Sequence, residues 1–418
     1  MSNEEKLVRM LKYVSEHNDF YKKRIKEYGI TNPLDITQWP VLTRKELQEN
    51  RYNMFSDGYK SKYFNQQLRR QTSSGSSGMP VNVYWDYKDY SMSMIALWRK
   101  RKHYYNVSPF DKVVKFTMFD VSPVRHDNDN LDYYYESATI LNVNRQSLNC
   151  PEKFRLLSEH INRFSPKWLY IQPSMLEKLI YYYDYFKTSL PDSIMYIEVV
   201  GEVLNSYLKK TAIRFFGVPI VNMYGSEEMN GIAYESPDNF MHIVDNNVFV
   251  EAQTENEICK IGTGDALITN LNNRAMPLIR YNQGDIIDIS SLCGDCHGIN
   301  NSQIIQVIYG RKHKSFCVGA QEINSLLLTS IISEVNNICF NMILDYTYKY
   351  ITSSNTLICF FDIGESNQVW LNMLCNQIKQ CFYSHILKNT DIEFEVVPRK
   401  IEQEKTKREI LTIEEKQL

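Results

Sequence analysis

The sequence predicts an α/β protein with mixed sheets, built as a large N-terminal domain over residues 1–311 and a small α+β domain over 312–418. Three observations carry that expectation. Between about residues 80 and 290, short β-branched and aromatic runs alternate with helical stretches. Beyond residue 312 the rhythm changes to helix, strand, helix, strand. The length of 418 residues also exceeds the usual size of one domain.

Taken in order, residues 4–28 carry apolar side chains at helical spacing and read as one amphipathic helix. A second helix begins in LTRKELQEN, with Thr43 as its N-cap. The strand-like runs are VNVYW, KVVKFTMF, YIEVV, PIVNMY, NVFVEA and DALITNL, and SYLKKTAIRFF reads as a helix among them. Turn residues separate NVFVEA from the run that follows, which points to an antiparallel pair. After residue 312 come a helix near EINSLLLTSIISEV, a strand at TLICFFDIG, a helix at VWLNMLCNQIKQCFYSHIL and a strand at IEFEVVP. The tail, RKIEQEKTKREILTIEEKQL, is charged and on composition alone reads as a solvated end.

Hydrophobic content of 43% and charged content of 23% are ordinary for a globular protein. A net charge of −2 gives no electrostatic case for nucleic acid or an anionic membrane as partner. The N-terminus lacks the pattern of a secretory signal, and no apolar run reaches the length that spans a bilayer, so the expected compartment is cytoplasmic. Nine cysteines, most of them single in apolar stretches such as NNICFNMIL, read as reduced core thiols rather than a disulfide framework.

The stretch QTSSGSSGMPVNVYWD packs Ser, Thr and Gly before a strand. It is either a flexible turn or a loop whose N–H and hydroxyl groups wrap a polyphosphate. No lysine follows its second glycine, so it is not a Walker loop. Further on, NMYGSEEMNG follows a strand-like run, PLIRYNQGD joins a strand to a Gly-Asp turn, and YGRKHKSF holds a Gly-Arg pair.

The ordered set SSGSSGMP, NMYGSEE, RYNQGD, YGRKH and a lysine in EKTKR resembles the core motifs of the adenylate-forming (ANL) superfamily. It is most similar to the phenylacetate–CoA ligase branch and its capsule-biosynthesis relatives. HNDFYKKRI, WPVLTRKEL, SPKWLYIQPSML and GTGDALITNLNN extend the likeness over nearly the whole chain. It implies a large N-terminal adenylate-forming domain with mixed sheets and a small mobile α+β C-terminal domain. It also implies activation of a small carboxylic acid by ATP and Mg²⁺ to acyl-AMP, followed by acyl transfer to the thiol of CoA or of phosphopantetheine on an acyl-carrier protein. Two alternatives stand beside that reading: transfer to an amine to form an amide, and a nucleotide-binding homologue without ligase activity. Relatives include dimers, which leaves a homodimer open here.

The resemblance also assigns residues. Ser73, Ser74, Gly75, Ser76, Ser77 and Gly78 would hold the β- and γ-phosphates. Gly201 and Glu202 match the glycine-led segment that precedes the adenine site. Tyr224 would stack on adenine, with Asn222 near its polar edge and Gly225 and Ser226 completing that motif. Glu228 would help hold Mg²⁺. The family usually has Thr or Ser where this chain has Glu227, whose carboxylate would repel the α-phosphate. Asp285 would accept from both ribose hydroxyls, Arg311 would reach the ribose–phosphate side, and His313 stands at the hinge. Lys405 would be the reactive-centre lysine, with Glu404 replacing the usual glycine, Arg408 at the family's spacing and Lys407 one step away as a competitor. Relatives carry a structural zinc. The matching ligands here are His242, Cys293 and Cys296, with Ser236 where a further cysteine would stand, and two free thiols are the alternative. Phe116, Phe119, Tyr134 and Tyr135 read equally as an acid pocket or as core.

Overall fold

A computed structural model describes residues 1–73, 81–117, 134–148, 151–292, 303–311, 315–339, 342–363, 368–386, 391–401 and 410–414. The chain divides into two compact units, Met1–Ser108 with Asn222–Lys312 and Pro109–Val221 with His313–Leu418.

The first unit is built on antiparallel strands. Their order is Ile258–Cys259, Val248–Gln253, Gly262–Asn270, Tyr281–Ser291, Gln303–Arg311, Met241–Ile243, Asn230–Glu235 and the Asn222–Ser226 end of strand Ile220–Ser226. The expected pairing of NVFVEA with the following run is the Val248–Gln253 to Gly262–Asn270 ladder. Leu11, Val14, Trp39, Leu42, Trp85 and Tyr281 share the core of this unit.

Residues 4–28 do not form one helix. Helix Asn3–His17 ends at Asn18, whose backbone is extended, and helix Asp19–Glu27 starts after it. The fully buried Asn18 side chain accepts from Tyr21 N–H and donates to Met54 O and Ser56 Oγ. A side chain that caps the second helix while tying down a distant loop outweighs continued helical periodicity. Thr43 does cap helix Arg44–Glu49, in a reciprocal box with Glu46. Strands Arg69–Thr72 and Asn82–Trp85 pair as an antiparallel hairpin whose ends bracket the Ser/Gly stretch.

In the second unit, strands Tyr196–Val200, Trp168–Ile171, Val113–Thr117 and Ile140–Asn144 pair in parallel, with Tyr134–Glu136 antiparallel at the edge. Every residue of Tyr196–Val200 is buried, as expected of a parallel strand covered on both faces. Helices Pro151–Phe164 and Pro173–Tyr185 share its core, and helix Ser206–Phe216 is closed by Gly217 in the left-handed region at φ 68°. Phe116 is fully buried in that core.

A separate hydrophobic core lies in the C-terminal part of the second unit. Helices Ser325–Ile338 and Gln368–His385 pack with a sheet ordered Glu393–Pro398, Thr356–Asp362, Asp345–Ile351 and Leu411–Glu414. The tail is therefore not wholly a solvated end. Leu411–Glu414 pairs in parallel with Asp345–Ile351 and buries Leu411, because two apolar residues in alternation suffice for an edge strand whatever the charge around them. Between the two cores of this unit lie a buried ion pair, Lys178 Nζ to Asp345 Oδ2 at 3.2 Å, and a bond from Asn205 Nδ2 to Ser333 Oγ. Among the described residues no helix is long and apolar enough to cross a membrane. Cys339, Cys359 and Cys381 are buried free thiols, whereas Cys317 is exposed.

Candidate functional site

Ser73, Tyr224, Glu228 and Asp285 all fall in the first unit, and side-chain contacts link them in two groups that meet strand Tyr281–Ser291. The turn after strand Ile220–Ser226 presents two neighbouring acids in opposite settings. Glu228 is 3% exposed, whereas Glu227 is exposed. Tyr281 donates its hydroxyl to Glu228 Oε1 at 3.3 Å, and Arg44 Nη1 lies 3.7 Å from the same oxygen. A buried carboxylate needs such compensation, because desolvation without a partner costs several kcal/mol or about that order. Glu227 instead accepts from Gln71 Nε2 at 3.0 Å, at the end of the hairpin strand that precedes the Ser/Gly stretch. The two carboxylates thus part company within one turn.

The Ser73 hydroxyl accepts from Val81 N–H at 3.0 Å and from Arg44 Nη2 at 2.8 Å, while Ser73 N–H donates to Val81 O at 2.9 Å. These bonds tie Ser73 to Val81 and bring it, through one guanidinium, to the neighbourhood of Glu228.

Strand Tyr281–Ser291 supplies the other group. Tyr224 donates its hydroxyl to Asp285 Oδ2 at 2.8 Å, and Gln283 Nε2 donates both to that hydroxyl and to Asp285 Oδ2. Gly284, at φ +89°, lets the strand bend between Gln283 and Asp285. Asp285 pairs in register with Arg311 on the next strand. The RYNQGD segment thus divides its labour: Arg280 anchors it, Tyr281 reaches Glu228, and Gln283 and Asp285 meet Tyr224.

Gly225 has a steric reason to be glycine. A Cβ there would lie 2.3 Å from the Asn230 carbonyl oxygen, across the irregular pairing of strands Ile220–Ser226 and Asn230–Glu235. Asn222 N–H donates to Glu235 Oε2 at 2.9 Å. Among the described residues, Ser226 Oγ and Gln283 Oε1 are buried without a hydrogen-bond partner. The Ser226 hydroxyl and the Glu228 carboxylate, two residues apart in sequence, are oxygen ligands of the kind a hard cation such as Mg²⁺ takes.

Gly201 and Glu202 lie in the second unit, after parallel strand Tyr196–Val200. Gly201 is left-handed at φ 80°, and Glu202 accepts from Ser174 N–H and Ser174 Oγ, each at 3.0 Å, at the start of helix Pro173–Tyr185. An acid there meets unpaired N–H groups and the positive end of the helix. His242 Nε2 meets Asp238 Oδ2 at 2.8 Å. Cys293 and Cys296 lie outside the described residues, and among those described no group of three His, Cys, Asp or Glu side chains is placed to hold a metal ion. Ser74, Gly75, Ser76, Ser77, Gly78, Phe119, His313, Lys405, Lys407 and Arg408 also lie outside the described residues.

Sequence reasoning missed Arg44, Gln71, Tyr281 and Gln283 as parts of the site. Three of them stand inside stretches already singled out, LTRKEL and RYNQGD, and Gln71 opens the Ser/Gly stretch itself.

No family model matches the sequence, and no curated protein matches it either. Solved structures do match in fold. The chain is similar to 2-hydroxyisobutyryl-CoA ligase in the postadenylation state in complex with 2-HIB-AMP, with a TM-score of 0.73 at 15% identity, covering 99% of this chain and 89% of that one. The same ligase in an open conformation with 2-HIB-AMP and CoA gives a TM-score of 0.60 at 16% identity, covering 98% and 90%. The anthranilate CoA ligase AuaEII in complex with anthranoyl-AMP gives 0.53 at 13% identity, covering 81% of this chain and 64% of that one. The α/β fold expected from the sequence, with its large sheet-rich part, is therefore the fold of acyl-CoA ligases. At these identities the likeness is one of fold.

Proposed function

We propose that the protein is an ATP-dependent ligase that activates a small carboxylic acid as acyl-AMP and transfers the acyl group to a thiol, that of CoA or of phosphopantetheine on an acyl-carrier protein. The observation that supports it best is the placement of Tyr224, Asp285, Glu228 and Ser73 in one unit of a fold similar to CoA ligases solved with acyl adenylates.

In this reading Tyr224 offers its ring to adenine while Asp285 orients its hydroxyl and accepts from the ribose. Arg311 serves the ribose–phosphate side. Ser73 to Gly78 bind the terminal phosphates, and Glu228 with Ser226 would hold Mg²⁺, which neutralises phosphate charge when bound. Residues 312–418 act as the lid, and its Lys405 donates to the charge that develops on the α-phosphate. Attack by the substrate carboxylate on the α-phosphorus forms the acyl–phosphate bond and expels pyrophosphate. Attack by the acceptor thiolate on the acyl carbon then releases AMP.

Pyrophosphate exchange with pooled carboxylic acids tests the reading. Acid-dependent exchange that disappears in Lys405→Ala supports it. Tight ATP binding with no exchange for any acid would instead favour a nucleotide-binding homologue without ligase activity. Adding CoA, a carrier protein or amines to an active acid then separates thioester from amide formation.

A further inference from the structure

Strand Tyr281–Ser291 carries a bulge where it meets strand Gly262–Asn270. Asn282 pairs with Leu267 and Ile286 with Asp265, so Gln283, Gly284 and Asp285 all stand opposite Ala266. In a regular strand Gln283 and Asp285 would lie about 7 Å apart on one face. A bulge bends the strand and re-aims its side chains, and here the two converge. Gln283 Nε2 donates to Asp285 Oδ2 at 2.9 Å and also to the Tyr224 hydroxyl, which itself donates to the same Oδ2 at 2.8 Å. The three groups close a triangle in which both amide hydrogens have an acceptor. Its corners differ in burial: Tyr224 and Asp285 are half-buried, whereas Gln283 is 6% exposed. The amide is thus the inner corner. Its orientation is decided by its neighbours, because a flipped amide would set a carbonyl oxygen against the carboxylate. The amide oxygen left over, Oε1, is buried without a hydrogen-bond partner. A residue kept for packing alone has no reason to bear that cost, since methionine fills a similar volume with no polar oxygen.

We propose that Gln283 is a positioning residue for the nucleoside. Its amide holds the Tyr224 ring and the Asp285 carboxylate in one mutual orientation, which the direct bond between them alone leaves free to pivot. The inference rests on the nucleotide-binding reading given above, in which that ring meets adenine and that carboxylate meets ribose. It concerns the nucleoside and not the terminal phosphates.

The test is calorimetric titration of the full-length protein with AMP, and separately with ATP and Mg²⁺. AMP carries the nucleoside without the terminal phosphates. Gln283→Met keeps the length of the side chain and removes both donors. It is expected to weaken AMP and ATP binding by the same factor, about fivefold, the equivalent of about 1 kcal/mol. Gln283→Glu keeps the shape, but as a carboxylate it has no hydrogen to give and sets a second negative charge beside Asp285, so it should lose more. In a Tyr224→Phe background, where one of the two acceptors is gone, Gln283→Met should cost less than in the wild type. Thermal unfolding of nucleotide-free Gln283→Met should match the wild type or lie above it, whereas loss of a merely structural amide would lower it.

Unchanged AMP affinity in Gln283→Met would overturn the inference, and so would a loss seen with ATP but not with AMP. An equal cost with and without the Tyr224 hydroxyl would overturn it too. A markedly lower unfolding temperature, or failure of both variants to fold, would make Gln283 a core residue, and the inference falls on that ground. Absence of AMP and ATP binding in the wild type is a different result, because it removes the nucleotide-binding reading itself and this inference with it.

Discussion

Tyr224 donates its hydroxyl to Asp285 across 61 residues of sequence, at 2.8 Å, and both lie in the first unit. The bond holds the tip of the tyrosine ring against one carboxylate oxygen. Tyr224→Phe keeps the ring and removes the tether. It should weaken ATP binding about tenfold or less, as expected for one hydrogen bond of about 1 kcal/mol. Tyr224→Ala removes the stacking face as well and should cost clearly more. Calorimetric titration with ATP separates the two, and equal affinities for wild type and Tyr224→Ala would remove Tyr224 from the nucleotide site.

Glu227 stands where the resemblance implies a hydroxyl residue, and Gln71 holds its carboxylate. A negative charge on this turn repels incoming phosphate, though solvent screens much of the effect. Glu227→Thr is expected to raise ATP affinity by up to about fivefold, equivalent to about 1 kcal/mol, with the gain shrinking in high salt. A loss of affinity in Glu227→Thr would show that the acid itself takes part in binding.

Arg280 opens the RYNQGD segment but acts below it. Nη2 meets Glu251 Oε1 at 2.6 Å, Nε meets Oε2 at 2.9 Å, and Nη1 donates to Trp39 O, with both charged side chains no more than 5% exposed. Removing one member of such a pair leaves a buried charge alone. Arg280→Ala should therefore cost about 3–5 kcal/mol of stability, read from the urea midpoint. An unchanged midpoint would show that the pair contributes nothing net.

Asp86 predicts a pH dependence. Partial burial acts to raise its pKa, but the hydrogen bond from Lys62 Nζ at 2.8 Å and the Lys88 N–H hold its carboxyl below the usual carboxylate range. A depressed folded pKa gives stability that is fully present above the unfolded value of about 3.9 and is lost as pH falls through the folded one. The stability gap between wild type and Asp86→Asn should hold steady from pH 7 to about 5 and close below about pH 4. A gap that stays constant down to pH 3 would leave the Lys62–Asp86 bond without electrostatic weight.

What was legible in the sequence depended on how local its cause was. Strands Tyr196–Val200 and Val248–Gln253, helix Ser206–Phe216 and the Thr43 cap rest on periodicity, burial or a cap within a few residues, and reading along the chain finds them. The break at Asn18 and the edge strand Leu411–Glu414 were not legible, because their partners are Met54, Ser56 and a strand more than sixty residues away. The site divides the same way. Tyr224, Glu228 and Asp285 stood out through short ordered motifs. Arg44 and Gln71 matter only through Ser73, Glu228 and Glu227, contacts that span 29 to 184 residues and that no local pattern records.

Gly225 leaves room for nothing larger than hydrogen against the Asn230 carbonyl, and it lies one residue from Tyr224 and three from Glu228. A methyl group there would pry the hairpin open, and the ring and the acid would drift together. The tyrosine ring and the buried acid therefore cannot be shifted one at a time by changes at the turn. They inherit a common alignment from a single missing carbon.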